Sequence, residues 1–228
     1  MSVSEGIYSK LPLPLQNAAV SLYGFYWKWL RFGGNYRHYA NSYKLRDSFT
    51  ADQWAEYQRG KLTNLLEICV NHVPFYSREW SKEQKEAALK GDLLALPLLE
   101  KEPLRADPYD FVRTDHKPLW KVTNYTSGST GTPIASICTP DEIRESLAIR
   151  EVRSAHWAGV SFRMARATFS GRMVEPDPES KGPYYRYNSA ERQVYFSPFH
   201  LRSDTARFYV EALRKHKIEW MTGYAVSS

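Results

Sequence analysis

A chain of 228 residues with 43% apolar and 25% charged residues has ordinary globular composition, and it is long enough for one large domain or two small ones with a sizeable core. The formal net charge of +6 comes from interspersed acids and bases with no run of five like charges. That pattern argues against the concentrated basic face of a nucleic-acid binder and suits an anionic ligand such as a nucleotide. The two cysteines, Cys69 and Cys138, have no CxxC spacing; they read as buried free thiols in a reducing, cytoplasmic compartment, with no metal site.

Residues 1–14 read as an arm, because Pro12 and Pro14 interrupt regular structure. A helix is predicted over 16–31, stopping at Gly33 and Gly34. It carries the longest apolar stretch, AAVSLYGFYWKWL, which is shorter than the about 20 residues that span a bilayer and has no signal-peptide flanks. The stretch reads as an aromatic helix packed on the rest of the protein. A membrane surface is the alternative that its Trp, Tyr, Lys and Arg content suits. Thr50 and Gln53 form a capping-box pair, and Trp54, Tyr57, Leu62, Leu65, Leu66, Cys69 and Val73 then recur at helical spacing until Pro74. A short charged helix is predicted over 81–90, ending at Gly91, and LPLLEKEPLRADP reads as loops and turns with Lys101 and Arg105 at the surface.

Strands are predicted over 119–125 and 134–138. Thr139, Pro140 and Glu142 then open a helix that carries Ile143, Leu147, Val152, Ala155 and Trp157 and stops at Gly159. A strand over 164–170 leads into GRMVEPDPESKGPYYRYN, read as a Pro/Gly-rich loop. QVYFSPF reads as extended, Ser203 as the start of a helix to about His216, and IEWMTGY as a strand buried on both faces. Helices followed by alternating strands and helices make an α/β protein, a helical N-terminal region and then a mixed sheet with flanking helices.

Between the two predicted strands lies Thr126-Ser127-Gly128-Ser129-Thr130-Gly131-Thr132-Pro133. Glycines let a backbone approach a ligand closely, successive N–H groups in such a turn make an anion-binding concavity, and the hydroxyls add donors for phosphate oxygens. The run is not a Walker A loop, since no Gly-Lys-Ser/Thr follows, and it leads into a strand, so a helix dipole does not assist. On residue chemistry alone, a phosphate cradle and a simple turn both stay open.

These eight residues resemble the signature loop of the adenylate-forming superfamily, which includes acyl-CoA synthetases. Thr132 stands where a lysine often follows the second glycine. LLEICVNHVPFYSREW and LPLLEKEPLR resemble segments of phenylacetate-CoA ligases, and residues 185–228 resemble the capsular polysaccharide biosynthesis branch, with Ala225 in place of a proline. The resemblance covers about residues 60–228. Residues 1–48 read as a helical arm that carries little of the resemblance, and the resemblance implies that 49–228 form the N-terminal portion of an adenylation domain, the sheet being incomplete. It implies ATP with Mg²⁺, a small carboxylic acid activated as an acyl-adenylate, and transfer to CoA or to an amine. Thr126, Ser127, Gly128, Ser129, Thr130 and Gly131 would hold phosphate. Tyr195, His200, Gly223 and Tyr224 would contact substrate, with the rings of 184–199 forming part of an acyl pocket.

No catalytic residue is assigned. His72 reads as a packed or capping imidazole, and Ser197 with His200 lacks the GxSxG elbow of a hydrolase. The competing function is a non-catalytic nucleotide-binding or interaction module in polysaccharide biosynthesis. The resemblance also leads us to expect an N-terminal fragment, inactive alone, with a large apolar face around 195–226; the oligomeric state is left open.

Overall fold

The structure is a computed structural model that describes residues 8, 11–126, 133–171, 174–175 and 177–223. The fold is α/β. It divides into two compact units, one formed by residues 1–40 with 144–228 and the other by residues 41–143. These cuts do not coincide with a boundary at residue 48.

In the second unit, the Thr50–Gln53 capping box opens helix α3 (Ala51–His72). Among the described residues, α1 (Leu13–Phe32) and α2 (Tyr36–Leu45) come before it in the chain; α2 carries no clear start or stop signal and was not anticipated. Pro74 does not simply end α3. Its fixed φ suits the first turn of a new helix, α4 (Pro74–Glu79), with Val73 as the extended hinge between them. Ser81 and Gln84 form a second capping box for α5 (Lys82–Leu89), which closes at Gly91 in a left-handed conformation with φ +79°. Leu66, Trp80 and Ala88 make the buried core there, with Leu62, Cys69, Val70 and Tyr76 packed against it. The stretch read as loops contains a helix, α6 (Lys101–Ala106), and is flanked by two short 3₁₀ turns, Leu93–Ala95 before it and Pro108–Phe111 at its end. Strands β1 (Val122–Tyr125) and β2 (Ala135–Cys138) pair antiparallel, from Val122 opposite Cys138 to Tyr125 opposite Ala135. Cys69 and Cys138 are free thiols, half-buried rather than fully buried, and burial pushes the Cys69 thiol up.

Helix α7 (Pro140–Ile149) continues as a wider π-type turn through Ala155. The first unit is organised by a four-stranded mixed sheet of order β4-β5-β3-β6. Strands β3 (Arg166–Phe169), β5 (Gln193–Phe196) and β6 (Trp220–Gly223) run parallel, and β4 (Tyr185–Asn188) returns antiparallel to β5. Helix α8 (Ala206–Lys215) carries the crossover from β5 to β6. Its buried Tyr209 and Ala212 lie on Ala167, Phe169, Val194 and Phe196 of the sheet.

Two expectations are corrected here. The Pro/Gly-rich stretch ends in a true strand, β4, because YRYN finds a full ladder against QVYF. Strand β6 is not buried on both faces: β3 is its partner on one side, it is an edge of the described sheet, and Met221 is 52% exposed. The apolar face expected over 195–226 is present only in part, since Phe199 and Met221 are exposed whereas Phe196, Tyr209 and Ala212 are buried. Among the described residues, no helix is long and apolar enough to cross a membrane.

Candidate functional site

Side chains alternate across a strand, so β3 and β5 each offer one set to α8 and the other set to the opposite face. The opposite set is polar: Arg166, Thr168, Gln193, and Arg186 and Asn188 of β4. Helix α1 covers β4 on that side. Asn17 Oδ1 accepts from the Tyr187 N–H at 3.0 Å, the Ser21 hydroxyl oxygen accepts from the Ser189 N–H at 3.0 Å, and Lys28 Nζ donates to the Ala190 carbonyl at 3.0 Å. The Arg186 guanidinium donates to the Gln16 amide oxygen and pairs with Glu175 at 3.2 Å.

The centre of this layer is Glu191. Its carboxylate pairs with Arg31 of α1 at 3.1 Å and Arg166 of β3 at 3.3 Å, and accepts from Asn188 Nδ2 at 3.3 Å. Burial pulls the Arg166 guanidinium down from its ordinary value, and the Glu191 charge opposes that pull. Arg166 also donates to Gln193 Oε1 at 2.7 Å, which orients the amide so that Gln193 Nε2 donates to Thr168 Oγ1 at 2.7 Å. With that lone pair occupied, the Thr168 hydroxyl retains its own proton to donate.

Two of the larger cavities among the described residues open on this layer. One of about 680 Å³ lies beneath α1 and is lined by Tyr23, Trp27, Arg186, Asn188, Glu191 and Tyr195 among others. The other, about 280 Å³, runs to the carboxyl ends of β3 and β6, where Thr168, Ser170, Thr222 and Gly223 line it. Among the described residues that line it, Arg31, Arg150 and Arg166 carry guanidinium groups and none carries a carboxylate. Glu191 neutralises part of that charge from behind. The balance favours an anion, and the carboxyl end of parallel strands is where open α/β sheets place ligands.

Tyr195 and Gly223 thus line cavities, though not the same one. His200 lines neither. It is buried, one ring nitrogen 2.9 Å from the Ser197 hydroxyl and the other 2.8 Å from the Asp177 carbonyl, and its ring stacks on Tyr184 at 5.2 Å. Tyr209 donates to the Ser197 carbonyl at 2.6 Å and Thr205 to the His200 carbonyl at 2.5 Å. The Ser-His pair therefore ties the chain after β5 to α8 and to the Asp177 turn. Both members are shielded from solvent, so the pair has no access to an ester or peptide.

Across the β1–β2 pair, the Thr126 N–H donates to the Ile134 carbonyl at 3.1 Å, and Thr126 Oγ1 accepts from the Ile134 N–H at 2.9 Å. In that bond the Thr126 hydroxyl acts only as an acceptor, so its proton takes no part in it. Ser127, Gly128, Ser129, Thr130 and Gly131 lie outside the described residues, as does Tyr224. Among the described residues no group of three His, Cys, Asp or Glu side chains gathers to hold a metal. His72 is the last residue of α3: its carbonyl accepts from the Thr114 N–H at 2.8 Å, and its ring lies 3.9 Å from Asp115.

Arg31, Arg150, Arg166 and Glu191 were not singled out from the sequence. The available signal was the strict polar–apolar alternation of RATF and QVYF, which puts Arg166 and Gln193 on one face if both strands are buried.

No family model matches the chain, and no solved structure matches it. Among curated proteins it is similar to Protein CapK of Staphylococcus aureus, with 24% identity over 222 residues. The match takes in 96% of this chain and 47% of that protein, so the chain spans about half the length of the relative.

Proposed function

We propose that this chain is part of an ATP-dependent acid ligase of the acyl-adenylate-forming type, resembling phenylacetate-CoA ligases, and that it belongs to capsular polysaccharide biosynthesis. The observation that carries the reading is the pairing of β1 with β2 on either side of the Ser/Thr/Gly run, closed by the two Thr126–Ile134 hydrogen bonds. A strand pair that brackets this run is what a phosphate-gripping loop of that type requires. The likeness to Protein CapK across nearly the whole chain supports the capsular branch.

In the reaction, a carboxylate oxygen forms a bond to the α-phosphorus of ATP and the bond to the β-phosphate oxygen breaks, releasing pyrophosphate. A thiol such as CoA, or an amine, then attacks the activated carbonyl and AMP leaves. The hydroxyls of Thr126, Ser127, Ser129 and Thr130 would donate to phosphate oxygens, with Mg²⁺ arriving on the nucleotide and sharing its charge. Such fixed donors act by positioning and by stabilising charge where it develops. The cavity lined by Thr222 and Gly223 offers the acid a cationic, hydroxyl-bearing place.

ATP–pyrophosphate exchange by the full natural chain, over a panel of aryl and aliphatic acids, tests this reading. Thr130→Val keeps shape and removes one donor to a charged group, a loss of about 1.5–3 kcal/mol. Exchange should fall by roughly tenfold to a hundredfold. Unchanged exchange in that variant sinks the phosphate role; ATP binding without exchange on any acid favours a non-catalytic nucleotide-binding module.

A further inference from the structure

The cavity at the carboxyl ends of β3 and β6 carries more positive charge than the surrounding acids balance. Arg31, Arg150 and Arg166 line it. Glu191 pairs with Arg31 at 3.1 Å and with Arg166 at 3.3 Å, and among the described residues no other carboxylate pairs with any of the three. Three guanidinium charges against one carboxylate leave a surplus of two.

The three arginines are not equivalent. Arg166 is buried and its N–H groups are occupied: they donate to the Phe162 and Glu191 carbonyls, to Gln193 and to the Glu191 carboxylate. It contributes charge rather than contacts. Arg31 bonds Glu191 through Nη1 alone, and among the described residues its Nε and Nη2 make no hydrogen bond. Arg150 is exposed. Each of these two lies over an aromatic ring, Arg31 over Trp27 at 5.0 Å and Arg150 over Phe162 at 5.1 Å. Such a contact restrains the guanidinium and leaves its N–H edge able to grip a carboxylate with two parallel bonds. The hydroxyls of Thr168, Ser170 and Thr222 line the same cavity.

A carboxylate loses its own charge when its oxygen becomes bonded to phosphorus. Guanidinium contacts to that carboxylate are strongest before the reaction and weaken toward the transition state, so they would raise the barrier. Contacts to a second anionic group that does not react keep their strength throughout and hold the acid in position. A surplus of two positive charges calls for an acid with two negative ones, one at the reacting end and one that stays.

We propose, resting on the ligase reading, that the acid is a dicarboxylate and that Arg31 and Arg150 grip its non-reacting carboxylate in this cavity, with the Thr168 hydroxyl donating to it.

The test is calorimetric titration of the purified full natural chain with succinate and with butyrate, acids of equal chain length that differ by one carboxylate. Succinate should bind about tenfold or more tighter at low salt, and the gap should narrow as salt is added. Arg150→Gln should lower succinate binding by about tenfold and leave butyrate binding within about twofold. Arg150→Lys, which keeps the charge and loses the planar fork, should fall between Arg150→Gln and the parent. Because Arg150 is exposed, the thermal melts of both variants should match the parent's. Arg207→Gln, which removes an exposed arginine outside this cavity, should leave both acids unaffected. Equal binding of the two acids, binding of neither, or succinate binding indifferent to Arg150→Gln overturns the proposal. So does inorganic phosphate that binds more tightly than succinate, which would give the cavity to a phosphoryl group. The titration needs no turnover. Succinate held through Arg150 by a chain that exchanges with no acid upholds the dicarboxylate site and sinks the ligase reading alone; exchange with butyrate by a chain that ignores succinate does the reverse.

Discussion

The sheet of the first unit has two faces, both largely shielded from water and built from the same strands, with opposite chemistry. Under α8, Phe169, Val194, Phe196, Tyr209 and Ala212 pack as an ordinary apolar core, with Phe169 and Phe196 stacked at 4.9 Å. Under α1, Arg166, Arg186, Asn188, Glu191 and Gln193 are buried with their charges and amides paired. The apolar face tolerates imprecision, because dispersion and burial are non-directional. The polar face does not, because each buried donor or acceptor left without a partner carries its full desolvation cost. Geometry rather than area holds α1 in place, and that geometry shapes the two cavities.

The largest effects should come from striking each face at its centre. Phe196→Ala removes a fully buried ring and should cost about 3–5 kcal/mol in urea unfolding. Glu191→Ala leaves the buried Arg166 guanidinium without its carboxylate and should cost a similar amount, about 3–5 kcal/mol. The two differ in how they are rescued. Replacing the ionic pair together, Arg166→Met with Glu191→Leu, should recover part of the loss, because the buried Arg166 charge leaves with its carboxylate and the Arg31 side chain, 30% exposed, can be solvated. A Glu191→Ala chain as stable as the parent would erase the distinction between the faces.

Next in size is Gly24→Ala. Glycine lets α1 lie against the amide of the buried Asn188, and a Cβ at that position would overlap it. Overpacking of this kind should cost about 1–3 kcal/mol, even though alanine is the better helix former. A stabilised Gly24→Ala chain would mean that α1 is free to shift, and that the polar layer does not fix it.

Ser197→Ala should be comparable or smaller, about 1–3 kcal/mol, from the hydrogen bond lost to the buried His200. If Ser197 and His200 only tie the fold, acid preference in the exchange assay should follow the parent. A changed preference at full stability would instead give the pair a role at the substrate.

The smallest effect is a pH dependence at the rim of the apolar face. His216 stacks on Tyr187 at 4.0 Å, and among the described residues its buried Nε2 has no hydrogen-bond partner. Burial first, and then the Lys215 charge, lowers its pKa below the ordinary 6.5. The unfolded chain therefore takes up a proton that the folded chain refuses, so stability is full above about pH 6.5 and declines as pH falls through that value toward the lower folded one. His216→Phe should flatten that part of the profile in thermal melts at a series of pH values. A profile identical to the parent's would assign the slope to other groups.

Local chemistry made much of this protein readable in advance. Thr50 with Gln53 and Thr139 with Glu142 announce their helices, because a capping box is closed by residues three apart and needs nothing from the rest of the chain. The strands on either side of the Ser/Thr/Gly run were legible from their apolar and β-branched residues, and so were β3, β5 and α8 in outline. The eight-residue run itself was visible as a candidate phosphate loop.

What only the tertiary structure decided is which face of each element meets which neighbour. The periodicity of α1 divides a polar side from an apolar side but does not say which is turned inward; hydrogen bonds from Asn17 to β4 and from Ser21 and Lys28 to the turn after it settle it against the usual expectation. YRYN, set in a Pro/Gly-rich stretch, becomes a strand only because QVYF lies opposite it to complete the ladder. His200, read as a substrate contact, is occupied at both ring nitrogens by Ser197 and by Asp177, which lies 23 positions away in the chain. Arg31 and Arg166 are 135 positions apart and meet at a single carboxylate, Glu191, because the strands and α1 carry them there. Spacing along the chain records a local preference, whereas a buried charge is tolerated only where a distant partner arrives, and that is a property of the folded chain.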